Sequence, residues 1–236
     1  MPQQETNYFI VTCHGCSASN WVAYTLNLHP KIACAHGSTA TIATDPTQWD
    51  GDDLHHELAK LRRGQQRQVA CSIDERYDEL EAQKTAPFVG SVHTYRLRDL
   101  SQQSERFPHI RRRFRTVNLI RHPLDLVVSG HGLFQKAFRI NLEEFSWTLR
   151  KVVVQGLDIV ESVSDRYKLA PGDYDNLCFF SACIMLGSLR LDLDAMQKLQ
   201  GRDIAPWHYH GVVRMEDVTS SPAAFSELLR TISGQE

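Results

Sequence analysis

The sequence predicts an α/β fold: a central parallel sheet flanked by helices. Five short apolar runs have the length and composition of buried strands. Segments of helical periodicity alternate with them. Strands alternating with helices along one chain favour parallel pairing with both sheet faces covered.

Tyr8-Phe9-Ile10-Val11-Thr12 is the first run, closed by a loop of small residues. Ser17 to Leu28 reads as a helix opened by hydroxyl residues and closed at His29-Pro30, because the residue before proline is disfavoured in the helical region. Ile32 to Ala35 is the second run. Residues 44–86 are polar with weak periodicity and read as a surface insertion of short helices and loops. Phe88 to Val92 and Thr116 to Ile120 are the third and fourth runs. Pro123 to Phe134 reads as a helix with proline at its first position, where a missing N–H costs nothing. Phe145 to Val163 and Tyr174 to Leu199 read as long helices, Tyr209 to Arg214 as the last strand and Phe225 to Ile232 as a terminal helix. The expectation is one domain over residues 1–236.

With 236 residues the chain can bury a core without covalent staples. Its formal net charge is −2, so it does not carry the basic balance of a nucleic-acid binder, and any anion site has to be built locally. Six cysteines are too sparse for a disulfide scaffold and read as reduced thiols. No apolar run approaches the roughly 18 residues of a membrane span. The first residues carry no cationic-then-apolar signal, and the expected address is the cytoplasm.

The strongest local feature is strand, small-residue loop, helix: Thr12-Cys13-His14-Gly15-Cys16-Ser17-Ala18-Ser19-Asn20-Trp21. Such a turn aims backbone N–H groups and the positive end of the helix dipole at one point, which makes an anion site. Ser17, Ser19 and Asn20 can add hydrogen bonds to phosphate oxygens, and Trp21 offers a flat face to a purine. The alternative is an ordinary helix start capped by serine. A second feature is Arg121-His122-Pro123-Leu124-Asp125-Leu126-Val127-Val128-Ser129, with Arg121 at a strand end and Ser129 two turns into a helix. The planar, permanently charged guanidinium suits phosphate.

Cys16-Ser17-Ala18-Ser19-Asn20-Trp21 with Leu28-His29-Pro30 resembles the 5′-phosphosulfate loop of the sulfotransferases that use 3′-phosphoadenosine 5′-phosphosulfate. Arg121 to Ser129 resembles their 3′-phosphate motif, and Arg214-Met215-Glu216-Asp217-Val218 resembles a third, weaker one in which the acidic pair caps a helix. The resemblance implies a sheet like that of the P-loop nucleotide kinases and the transfer of a sulfuryl group to a hydroxyl or amine of a small-molecule or glycan acceptor, with no metal required. It assigns the donor nucleotide to His14, Cys16, Ser17, Ala18, Ser19, Asn20, Trp21, Arg121 and Ser129. Ala18 stands where the family has glycine, and Cys16 where it has a cation.

Transfer needs a proton acceptor on the nucleophile, and histidine titrates near neutrality without perturbation. His93 follows the third strand, where the family places a catalytic histidine; Ser91 replaces a lysine of that string. His36, after the second strand, is the other candidate.

Three further readings stand beside this one. A nucleotide-binding pseudoenzyme would follow from the missing cation at Cys16. Cys13-His14-Gly15-Cys16 is also the pattern of a thioredoxin-like redox motif; a zinc site at Cys13, Cys16, Cys34 and His36 would need a nonstandard spacing. Finally, Arg111-Arg112-Arg113 and Arg115 form a basic run that is either a solvated face or a steering patch for an anionic coenzyme or acceptor.

Overall fold

The computed structural model describes residues 6–14, 17–37, 40–45, 72–102, 110–140, 174–200 and 207–234. The chain divides into two compact units, one of Met1–Ile120 with Asp194–Glu236 and one of Arg121–Leu193.

The first unit contains a five-stranded sheet of β1 (Asn7–Cys13), β2 (Ile32–His36), β3 (Phe88–Val92), β4 (Phe114–Ile120) and β5 (Trp207–Arg214). Every neighbouring pair is parallel, in the order β2-β3-β1-β4-β5. The expected α/β architecture is therefore observed. β1 is central because both its faces are apolar. Phe9, Val11 and Cys13 enter one core, while Ile10 enters the other, as period-two alternation requires.

Helices cover both faces. On the first lie α1 (Ser19–Asn27), α6 (Met215–Ser220) and α7 (Pro222–Ser233), which bury Val22, Leu26, Val218, Leu228 and Ile232 against β1 and β4. On the second lies α2 (Ile73–Gln83), whose Ile73, Tyr77 and Leu80 pack on Ile10, Val89 and Phe114. Thus the latter part of the polar 44–86 stretch contributes a core-packed helix; its charged residues had obscured three apolar positions at helical spacing. Ser72 caps α2 and Glu75 returns a bond to the Ser72 N–H, a reciprocal cap that fixes where the helix begins. α3 (Leu97–Gln102) sets Leu97 against Ala195 and Leu199, near the end of α5 (Tyr174–Leu199).

The Phe9 ring lies over β3 because its register partner, Gly90, has no side chain. A Cβ at Gly90 would sit 2.3 Å from the ring of Phe9, which is fully buried. In the second unit α4 (Pro123–Ile140) follows directly on β4 and runs further than the sequence predicts. There a Cβ at Gly130 would meet Met185 at 2.5 Å. The expected helix at Phe145 to Val163 lies outside the described residues. No described helix is long and apolar enough to cross a membrane.

Candidate active site

β1 delivers the loop. His14, the next residue, is buried; Gly15 and Cys16 lie outside the described residues. Ser17 is buried, and Ala18 takes the left-handed conformation at φ 50°, ψ 24° as the N-cap of α1. No side chain caps this helix. The serine-capped start that competed with the anion-site reading is thus not what forms. The first-turn N–H groups of α1 receive no side-chain partner at the N-cap, and Ser19 and Asn20 open the helix.

β2 and β3 deliver the imidazoles. Their register pairs His36 with Val92, so the residue that follows Val92, His93, emerges beside His36. His93 adopts φ 63°, a region that histidine enters more readily than most side chains. Its N–H donates to the Val11 carbonyl at 2.9 Å, Gly37 N–H donates to the Val92 carbonyl at 2.9 Å, and Thr94 Oγ1 donates to the Gly37 carbonyl. These bonds clamp the β2 and β3 exits together. Asn27 ties α1 to β2 by accepting from Cys34 N–H at 2.7 Å and donating to the Cys34 carbonyl at 2.8 Å.

The result is a three-residue cluster. Ser19 Oγ lies 3.0 Å from His36 Nε2 and 3.3 Å from His93 Nδ1, and the two rings meet edge to face at 5.7 Å between centroids. A hydroxyl has one proton, so at most one of these nitrogens accepts from Ser19; any other bond here is an imidazole N–H donating to Oγ. Burial pushes the His36 imidazole down to about 4. Burial, then the neighbouring His36, Arg96 and His14, hold His93 well below the usual histidine range. Both rings are neutral at pH 7. The sequence reading assumed a base titrating near neutrality; desolvation moves both candidates to lower pH.

In the second unit, Arg121 directly follows β4 and donates from Nη1 to Ser129 Oγ at 2.5 Å. Arg121 precedes α4 by two residues and Ser129 lies in its second turn, so the arginine side chain reaches forward along the helix to the serine. Asp125 is exposed in the first turn of α4.

Other predicted residues have these positions. Trp21 is half-buried and meets Phe225 edge to face at 6.0 Å. Glu216 and Asp217 fall in the first turn of α6, where the helix dipole favours acids. Cys13 is fully buried, whereas a redox pair needs an accessible thiol; Cys34 is also free and buried, and burial raises its pKa. Among the described residues no group of three His, Cys, Asp or Glu side chains could hold a metal ion. Sequence reasoning missed Asn27, Gly37 and Thr94, which position the cluster; their bonds join segments far apart in the chain and leave no local signal.

No family model matches the chain, and no curated protein matches it. Among solved structures, a sulfotransferase from Alicyclobacillus acidocaldarius aligns over 98% of this chain and 82% of its own, at 16% identity and a TM-score of 0.47. At that level the likeness assigns no chemistry to these residues.

Proposed function

We propose that this protein transfers a sulfuryl group from 3′-phosphoadenosine 5′-phosphosulfate to a hydroxyl or amine of a small-molecule or glycan acceptor. The observation that carries the reading is the contact of Ser19, in the first turn behind the loop, with two neutral imidazoles at the carboxyl edge of the sheet. Open parallel sheets bind ligands beyond that edge.

The residues suit a phosphosulfate. The N-terminus of α1, left without a side-chain cap, offers backbone donors, and Ser17, Ser19 and Asn20 stand beside it. Arg121, already oriented by Ser129, is assigned the 3′-phosphate; Trp21 is assigned the adenine. The nucleotide supplies the sulfuryl group: a bond forms from the acceptor atom to sulfur, the bond from sulfur to the 5′-phosphate oxygen breaks, and the electron pair leaves on that oxygen.

The protein's part concerns protons and charge. With the Ser19 hydroxyl donating to a phosphate oxygen, both imidazoles donate N–H to Ser19 Oγ. His93 Nε2 and His36 Nδ1 are then bare. His93 takes the acceptor's proton at Nε2, and backbone donors of α1 meet the charge that grows on the leaving phosphate. His36 holds Ser19 in place from the other side.

A calorimetric titration with 3′-phosphoadenosine 5′-phosphate and with AMP tests the reading. The bisphosphate should bind at least ~10-fold more tightly, since one charge-assisted bond is worth about 1.5–3 kcal/mol. Equal affinity, or no binding of either, would sink it.

A further inference from the structure

The cluster of Ser19, His36 and His93 has a second chemistry open to it. Ser19 Oγ lies 3.0 Å from His36 Nε2, the separation of a hydroxyl nucleophile from its general base. With no nucleotide bound, the hydroxyl can donate to that nitrogen. His93 Nδ1, 3.3 Å away, then donates its N–H to the same oxygen. Oγ thus has a base to take its proton and a donor to steady the charge left behind.

A serine hydroxyl is a weak nucleophile until such a base stands beside it. Burial keeps His36 unprotonated in neutral solution, so the base is in its working form. Asn27 holds the pair at this separation, because its two bonds to Cys34 fix α1 against β2.

The backbone supplies the other half of the chemistry. β1 ends at Cys13, Ala18 turns the chain in the left-handed region, and Ser19 is the first residue of α1. The first bond of the helix ladder runs from Val22 N–H to the Ala18 carbonyl at 3.0 Å. The N–H groups of Asn20 and Trp21 precede it and point out of the helix end, beside Oγ. Together with the positive end of the helix dipole they are placed to meet an oxyanion that forms within reach of Ser19. Ser19 is only 6% exposed, while His36 and His93 are half-buried. A nucleophile so enclosed admits a small acyl group and excludes a long chain.

We propose that Ser19 is a nucleophile toward carboxylic esters of short acids, with His36 as its base. Oγ bonds to the carbonyl carbon, its proton passes to His36 Nε2, and the carbonyl electron pair moves onto oxygen, facing the Asn20 and Trp21 N–H groups. The tetrahedral intermediate then breaks its bond to the leaving oxygen, which takes the electron pair and the proton from Nε2. Water attacks the acyl-serine and gives a proton to Nε2; Oγ departs with the electron pair and recovers that proton. Water is the sole co-reactant. The activity needs Ser19, His36 and α1 alone and does not depend on the sulfuryl-transfer reading.

The test is incubation of the full chain with p-nitrophenyl acetate in the absence of nucleotide, with nitrophenol release followed by absorbance. Release should be saturable and faster than from p-nitrophenyl decanoate. Ser19→Ala should lower it by about 10²-fold or more. His36→Gln, which keeps a hydrogen-bonding side chain, should lower it by about 10²–10⁴-fold. Ser226→Ala, at an exposed serine of α7, should leave it unchanged. Dimethyl fluorophosphate should form a stable adduct on Ser19 of the unaltered protein, read by peptide mass spectrometry, so the assignment stands even if a variant misfolds. Release that does not saturate, release that Ser19→Ala or His36→Gln retains, or absence of the adduct on Ser19 overturns the proposal.

Discussion

Ser19 Oγ stands 3.0 Å from His36 Nε2, joining a residue of the first helix to the end of the second strand. The same oxygen reaches His93 Nδ1, so the two candidate bases are not alternatives in separate places. They share one hydroxyl, and the direction in which that hydroxyl donates decides whether one or both outward nitrogens are unprotonated.

That arrangement distinguishes the histidines. His93→Ala should lower turnover by about 10²–10⁴-fold, the usual cost of losing a general base, and leave nucleotide affinity alone. His36→Ala should cost less and should also weaken nucleotide binding, because Ser19 loses its second support. Single-turnover kinetics with calorimetry separates these effects. The opposite pattern would make His36 the base.

The pH dependence follows from burial. A base works when unprotonated, and both imidazoles have lowered pKa values, His36 to about 4. Turnover should be flat from pH 6 to 8 and fall only in more acidic solution. An acid limb centred near 6.5 would mean an unperturbed histidine outside this cluster. Stability carries the same sign. The unfolded chain binds protons on these groups as pH falls below about 6.5, while the folded one does not until lower pH. The stability that neutral His36 contributes is complete above 6.5 and is lost as pH falls toward 4, measurable by denaturant melts across that window.

Arg121→Ala should remove the preference for a 3′-phosphorylated nucleotide. The bisphosphate should lose about tenfold or more in affinity while AMP binding is unchanged. Circular dichroism should stay native, since the Ser129 hydroxyl that Arg121 bonds is part-buried and can turn to solvent. Parallel losses for both nucleotides would remove Arg121 from 3′-phosphate recognition.

Ala18→Gly should stabilise the protein. A left-handed alanine costs roughly 1–2 kcal/mol, and glycine gives back part of that as extra entropy in the unfolded chain. A net gain of about 0.5–1 kcal/mol raises Tm by a few degrees in a chain of this size. A lower Tm would mean that the alanine methyl group, which packs against the first core, contributes more than the strain costs.

Gly90→Ala should destabilise by about 1–3 kcal/mol, because the new methyl group overlaps the buried Phe9 ring. Combining it with Phe9→Leu should recover part of the loss. A Gly90→Ala protein as stable as the parent would mean that β3 and β1 can separate without cost.

The five strands and most helices were legible in the sequence because their signals are local. A strand buried on both faces shows as an apolar run, and Pro123 marks a helix start by its fixed φ, whereas the terminal helix, read from Phe225, in fact begins at Pro222. Arg121 and Ser129 were marked together by their resemblance to a 3′-phosphate motif; the hydrogen bond between them is a finding of the structure. The sequence alone also marked the loop, His36 and His93 as separate candidates. Tertiary structure decided that they form one cluster. Ser19 and His93 are 74 positions apart, and only the parallel register of β2 and β3 brings His36 and His93 side by side. It also decided their protonation, because an imidazole pKa depends on the desolvation and charges around it, which no run of neighbours in the chain encodes. The basic run divides likewise: four arginines are plain in the sequence, but that Arg111 and Arg112 pair with Asp74, Asp78 and Glu81 is settled by α2, a helix from a distant part of the chain.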